Sequence, residues 1–169
     1  MSPPSHHLVV SNCIPLFFAA LLVQVLLFSD AIAATPWALQ YGRFAYAGSL
    51  LIVLSAVAFN RHLPGMWVVF VGACLNFLVI AANGGQMPVD IAAQASLAKM
   101  PAAGEGLAAA RFSNVAPLTA ESRLWFLGDI LATPAWLPLR NVFSVGDVWI
   151  ALGAAHLIQA PLAAPPPRA

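Results

Sequence analysis

The sequence predicts an all-α fold: an integral membrane helical bundle of about four transmembrane helices, with short interfacial or re-entrant helices in one long loop. Three observations carry this. Hydrophobic residues make up 61% of the 169 residues and charged residues 8%, against about 25% charged in an ordinary soluble domain. The mean hydropathy is +0.85. Four apolar runs, near residues 14–34, 38–59, 63–82 and 145–162, each approach the roughly twenty residues that cross a bilayer. Charges this sparse cannot coat a water-soluble surface, so membrane lipid must cover much of the exterior. The formal net charge of +1 supplies no basic patch, which excludes nucleic acid as a partner. A single membrane domain over residues 13–162 lies between an N-terminal tail, 1–12, and a proline-rich tail, 163–169.

The tail contains Ser2, Pro3, Pro4, His6 and His7 but no Lys or Arg, which makes it a poor secretory signal. Its paired histidines have no accompanying ligands, so solvation explains them better than a metal does. Span one opens at Cys13, with Pro15 near its start, where proline is tolerated. Gln24 should turn toward another helix and hydrogen-bond there. Asp30 is expensive in hydrocarbon and marks the interface end. In span two, Trp37, Tyr41 and Tyr46 suit the headgroup level, and Arg43 can snorkel to water. Ala45 and Ser49 are four apart and permit close helix contact.

Asn60-Arg61-His62 and Pro64-Gly65 form a tight turn, which makes spans two and three antiparallel neighbours. In span three, Gly72, Asn76 and Asn83 share one face. Asn76 requires a partner on another helix. Cys13 and Cys74 read as small apolar residues, with no C-x-x-C pair or metal-type spacing. No metal and no cofactor is expected.

Asn83-Gly84-Gly85-Gln86-Met87-Pro88 ends span three abruptly. The glycines permit backbone angles closed to other residues, and Pro88 suits the first turn of a new helix. The stretch reads as a rigid exit from the bilayer into the loop at residues 83–144. Val89, Ile91, Ala92, Ala95 and Leu97 mix with Asp90, Gln94 and Lys99 in an amphipathic pattern, so a short helix is expected over residues 88–100. Residues 102–110 are small and glycine-broken, hence expected to be mobile. Thr119 can cap a second short helix that ends at Gly128. Residues 124–139 are greasy but only sixteen long, and Asp129, Pro134 and Pro138 break them. That length suits an interfacial or re-entrant segment, with Trp125 and Trp136 at headgroup depth. Ser144 and Asp147 have the spacing of a capping box that opens the last span, where Asp147 also meets the positive end of the helix. His156, inside that span, reads as a helix-to-helix hydrogen bond or an interface residue. A haem or pigment ligand would want a second axial histidine.

Three stretches carry a resemblance. They are Leu75-Asn76-Phe77-Leu78-Val79-Ile80-Ala81-Ala82-Asn83-Gly84-Gly85-Gln86-Met87-Pro88-Val89, then Leu127-Gly128-Asp129, then Phe143-Ser144-Val145-Gly146-Asp147-Val148. In this order and spacing they resemble the signature of an uncharacterised bacterial multi-pass membrane family, domain of unknown function 5317. Ala20-Leu21-Leu22-Val23-Gln24 is also similar, and the resemblance runs from about Leu16 to Gln159. Its motifs imply no chemistry. Relatives of that kind carry a further apolar helix and a basic turn first, and the resemblance implies that this chain starts after both. It also implies an inner-membrane location with both termini inside and the long loop outside.

The leading functional reading is a non-catalytic structural or accessory subunit, packed against a larger membrane complex. Low charge, small helix-facing residues and the lack of a nucleophile–base set favour it. The first alternative is a membrane enzyme or binding protein for a lipid or isoprenoid headgroup. The second is a small transporter or a pigment- or haem-binding subunit, with Gln24, Asn76 and His156 as intramembrane polar residues. Asn83, Gly84, Gly85, Gln86, Pro88, Asp129, Arg140, Ser144 and Asp147 are expected to converge at one interface. There Asn83 and Gln86 would donate to Asp129 or Asp147, and Arg140 would neutralise one carboxylate.

Overall fold

The computed structural model describes residues 7–93, 112–134, 136–137 and 141–162, the backbone alone at 7–14 and 161–162. Lys99, Arg140, most of the segment at 88–100, the glycine-broken segment at 102–110 and the proline-rich tail lie outside the described residues. The chain is mostly helical. The order is α1 (His7–Leu27), a single-turn α2 (Asp30–Ala33), α3 (Pro36–Phe59), α4 (Met66–Ala82), a loop of short strands, and α5 (Val145–Leu162). Only α3 is both long and apolar enough to cross a membrane by length and composition, among the described residues. Pro15–Leu27, Met66–Ala82 and Val145–Ala160 are shorter apolar helices.

Local chemistry sets the helix ends. The helical path breaks after Leu27, because Ser29 turns its hydroxyl back onto the Leu26 carbonyl, 2.6 Å away, and takes an extended backbone. The run at 14–34 is therefore two helices and not one. Thr35 then caps α3 by accepting from the Ala38 N–H at 3.2 Å, with Pro36 in the first helical position. Between α3 and α4, Asn60 donates to the Ala56 carbonyl at 2.7 Å, and Gly65 adopts a left-handed φ of 76°.

Helices α4 and α5 run antiparallel through two glycine pairs. A Cβ on Gly72 would strike the Gly146 carbonyl, and one on Gly65 would strike the Gly153 carbonyl. Gly146 and Gly153 are seven residues apart, on one face of α5, and they meet Gly72 of α4 and Gly65 at its N-cap. The α1–α3 pair packs through side chains. Ala20, Leu27 and Ala38 are buried, Phe28 meets Tyr46 edge to face at 5.5 Å, and Gln24 donates to Ser49 Oγ at 3.1 Å.

A buried apolar cluster sits at the loop end of the bundle. Leu27, Ala38, Tyr46, Val79, Ile80 and Met87 form it, joined by Phe28, Phe112 and Leu127. Among the described residues the loop contributes four strands: β1 (Met87–Val89), β2 (Val115–Pro117), β3 (Leu131–Ala132) and β4 (Val142–Phe143). β1 pairs parallel with β2, in the register Met87 to Val115. β3 pairs antiparallel with β4, Leu131 opposite Phe143. Two expectations are corrected here. Pro88 does not begin a helix; it is fully buried in β1. Residues 121–127 form turns and one 3-10 turn at Trp125–Leu127, not a capped helix. Proline's fixed φ suits a strand as well as a helix start, and the backbone partners of residues 87–90 favour the strand.

Candidate functional site at the loop end of the bundle

The segment from Asn83 to Asp90 holds the loop. Gly84 and Gly85 have φ of 68° and 92°, and the Gly85 N–H closes α4 on the Ile80 carbonyl at 2.9 Å. This reversal presents Asn83 and Gln86 to the loop backbone. The Asn83 amide donates to the Arg123 carbonyl at 2.8 Å and accepts from the Arg123 N–H at 2.8 Å. A side-chain amide thus pairs with one residue as a neighbouring strand would. Gln86 Nε2 donates to the Ser113 and Val115 carbonyls, at 3.1 and 3.3 Å. Neither amide goes to a carboxylate, which corrects the expectation that they would serve Asp129 or Asp147.

β1 is gripped on both sides. Met87 N–H donates to the Asn114 carbonyl at 2.7 Å, and Leu118 N–H to the Val89 carbonyl at 2.9 Å. On the opposite edge, Asp129 N–H donates to the Pro88 carbonyl at 2.9 Å and Asp90 N–H to the Asp129 carbonyl at 3.0 Å. Gly128 makes this approach possible, since a Cβ there would lie 2.6 Å from the Pro88 carbonyl.

The start of α5 carries a closed polar ring. Ser144 Oγ accepts from the Asp147 N–H, and Asp147 Oδ2 accepts from the Ser144 N–H, both at 3.0 Å. Asn76 of α4 joins both members: its amide donates to Asp147 Oδ1 at 2.7 Å, and its carbonyl accepts from Ser144 Oγ at 2.9 Å. Ser144 is fully buried. Both carboxylate oxygens of Asp147 are thereby occupied in holding α5 to α4, which fits a structural role.

Asp129 differs. Its Oδ1 is buried and has no hydrogen-bond partner among the described residues. Burial, and secondarily the charge of Asp147, pushes its carboxyl up to about 6. Among the described residues no three His, Cys, Asp or Glu gather as a metal would need.

Arg140 lies outside the described residues. His156 is exposed and sits far from this end: its Cβ lies 3.0 Å from where a Gly65 Cβ would be. Gln24 is engaged at the α1–α3 contact.

A further feature was not legible in the sequence. A cavity of about 300 Å³ opens between α3 and the loop, lined by Leu39, Arg43, Gly84, Gln86, Phe112 and Ser113. Phe112 builds one wall by stacking on Phe28 at 5.8 Å, and its N–H donates to the Ala33 carbonyl at 2.7 Å. Seventy residues separate Arg43 from Ser113, and no side-chain pattern announces their meeting. The only signal was a lone arginine near the end of an apolar helix.

The family of unknown function DUF5317 matches residues 9–159 of the chain. No curated protein and no solved structure matches it.

Proposed function

For a chain that belongs to the DUF5317 family, we propose a four-span membrane protein whose long loop is fixed as a cap over one end of the bundle, in a non-catalytic structural or accessory role. The spans are α1, α3, α4 and α5. Their charged residues are Arg43 in α3 and Asp147 at the start of α5. Large apolar side chains such as Leu16, Phe18, Leu22, Phe44, Leu51 and Ile158 face outward, a surface that lipid would cover and water would not tolerate over such an extent. Trp37, Tyr41, Trp125 and Trp136 are exposed at the loop end, where a headgroup layer suits amphipathic rings.

The observation that carries the accessory reading is the use made of the polar residues. Asn76, Asn83, Ser144 and Asp147 spend their side chains on the fold itself, and Gln86 spends its amide hydrogens there. A chemical site would hold such groups open toward a substrate.

Single cysteines at Glu121, in the loop, and Arg61, in the α3–α4 turn, test the topology when placed in a chain whose own cysteines are replaced. A membrane-impermeant thiol reagent on intact cells should label the first and spare the second. Membranes washed in alkaline carbonate should retain the protein. Release by carbonate, or equal labelling of both positions, would overturn the reading.

A further inference from the structure

From the cavity between α3 and the loop, we infer a binding site for a phosphate-bearing headgroup that also carries hydroxyls, of the phosphatidylglycerol kind, with Arg43 as its cation. The inference rests on the membrane reading above, and adds a ligand that reading does not contain.

The lining divides by chemistry. Among the described residues that line it, Arg43 is the only formal charge. Its guanidinium carbon lies 5.5 Å from the Phe44 ring centre, and the edge of a guanidinium can meet two oxygens of one anion. The cavity positions this arginine: a Gly85 Cβ would sit 3.1 Å from Arg43 Cβ, so glycine lets the turn press against the stem. Above Gly84 a Cβ would meet nothing within 4 Å, and the rim is open there.

The neighbouring amide sets the second preference. Gln86 Nε2 has two hydrogens, and both are directed at loop carbonyls. What remains for a ligand is Oε1, an acceptor. Ser113 is engaged locally, donating to the Val115 carbonyl and accepting from the Val115 N–H. The cavity therefore asks for an anion beside a hydroxyl donor. A phosphodiester esterified to glycerol supplies both within about the volume of the cavity. A phosphocholine supplies no hydroxyl and brings a quaternary ammonium toward Arg43. Leu39 and Phe112 give the remaining wall apolar contact. Further along α3, away from the loop, exposed Phe44, Leu51 and Ile52 offer a surface to acyl tails.

The test uses the full chain, delipidated in a neutral detergent, with native mass spectrometry counting bound lipid. Phosphatidylglycerol should bind about tenfold more tightly than phosphatidylcholine, whose phosphate can also meet Arg43 but whose ammonium faces that cation and whose headgroup has no hydroxyl for Gln86 Oε1. Arg43→Gln should weaken phosphatidylglycerol binding about tenfold, the scale of one bidentate charged contact, while its lipid-free melting temperature stays near wild type. If Arg43→Gln unfolds, Arg43→Lys decides: it keeps the charge, loses the fork, and should bind several-fold more weakly. Equal phosphatidylglycerol binding by a folded Arg43 variant and wild type overturns the proposal. Inorganic phosphate that stabilises wild type, but not Arg43→Gln, as well as the lipid does would identify a soluble phosphate compound as the source of the same chemistry. Carbonate washing separates the two levels: a chain that stays in the membrane without Arg43-dependent binding loses only this inference.

Discussion

The α4–α5 contact and the α1–α3 contact of this protein are built on different principles. α4 and α5 meet backbone to backbone, through Gly65 with Gly153 and Gly72 with Gly146, and lock at one end through Asn76, Ser144 and Asp147. α1 and α3 meet through alanines, aromatic rings and the Gln24–Ser49 hydrogen bond. A glycine on α3, Gly48, has nothing within 4 Å of where its Cβ would be. Small residues therefore do different jobs in the two pairs. In the first they are contact surface; at Gly48 the same residue leaves a gap. If lipid surrounds these helices, as proposed, the hydrophobic effect between them is weak, and close packing and buried polar contacts must hold each pair. The α4–α5 pair has both, and it carries the cap.

The comparison breaks first at Gly146. A Cβ there would collide with Asn76 Oδ1 and lie 2.8 Å from the Gly72 carbonyl. Gly146→Ala must therefore push the helices apart and open the polar ring. The expected loss is about 3 kcal/mol, combining overpacking with a lost buried hydrogen bond. Thermal unfolding in detergent measures it. A melting temperature within a degree of wild type would mean that the close approach is not needed.

Asn83 tests the link from α4 to the cap. Asn83→Ala removes both bonds to the Arg123 backbone and the bond to the Val79 carbonyl at 2.7 Å. About 1–2 kcal/mol should be lost. Proteolysis should reach the loop near Arg123 sooner, while the α4–α5 contact persists. Uniform loosening of both regions would contradict the separation drawn here.

How much of this was legible depends on where each partner lies. Ser144 and Asp147 are three apart, so their reciprocal bonds follow from helix geometry alone. Asn76, inside an apolar helix, had to find a polar partner elsewhere, and Asp147 is that partner. Asn83 and Gln86 pair with backbone carbonyls about thirty to forty residues away, and a carbonyl has no letter in the sequence. That is why carboxylates were expected instead. Pro88 was misplaced for a related reason. Three-residue strands have too little periodicity to register, and what makes residues 87–89 a strand is pairing with residues 115–117 and 129. Gly146 and Gly153 stood out as contact glycines only once their partners on α4 were known.

Asp129 gives the pH dependence of the cap. Its carboxyl is raised to about 6 by burial and by Asp147, so the folded chain holds the proton more tightly than the unfolded one. Stability should therefore rise as the pH falls through about 6, and level off near the unfolded value of 3.8. Above about 7 the ionised form carries its full penalty, moderated because the group is partly exposed. Asp129→Asn should melt higher than wild type at pH 8, with the difference shrinking toward pH 5. Comparing the two proteins cancels the histidines, which titrate in both. A variant less stable than wild type at every pH would show that the charge makes a contact worth more than its burial costs.

The smallest effect draws the sharpest line between the two helix pairs. Gly48→Ala makes the same chemical change as Gly146→Ala, adding one methyl to one helical glycine. At position 48 the methyl enters open space, so no neighbour has to move. What remains is the backbone term: alanine restricts the unfolded chain and favours the helix by about 0.5–1 kcal/mol over glycine. Gly48→Ala should therefore raise the melting temperature slightly, opposite in sign to Gly146→Ala. On the proposed membrane reading, a second helix or a partner subunit packed against α3 at Gly48 would reverse the sign in membranes but not in detergent. Measuring the variant in both settings thus reports whether that gap is left to lipid or filled by protein, which is what the proposed accessory role turns on.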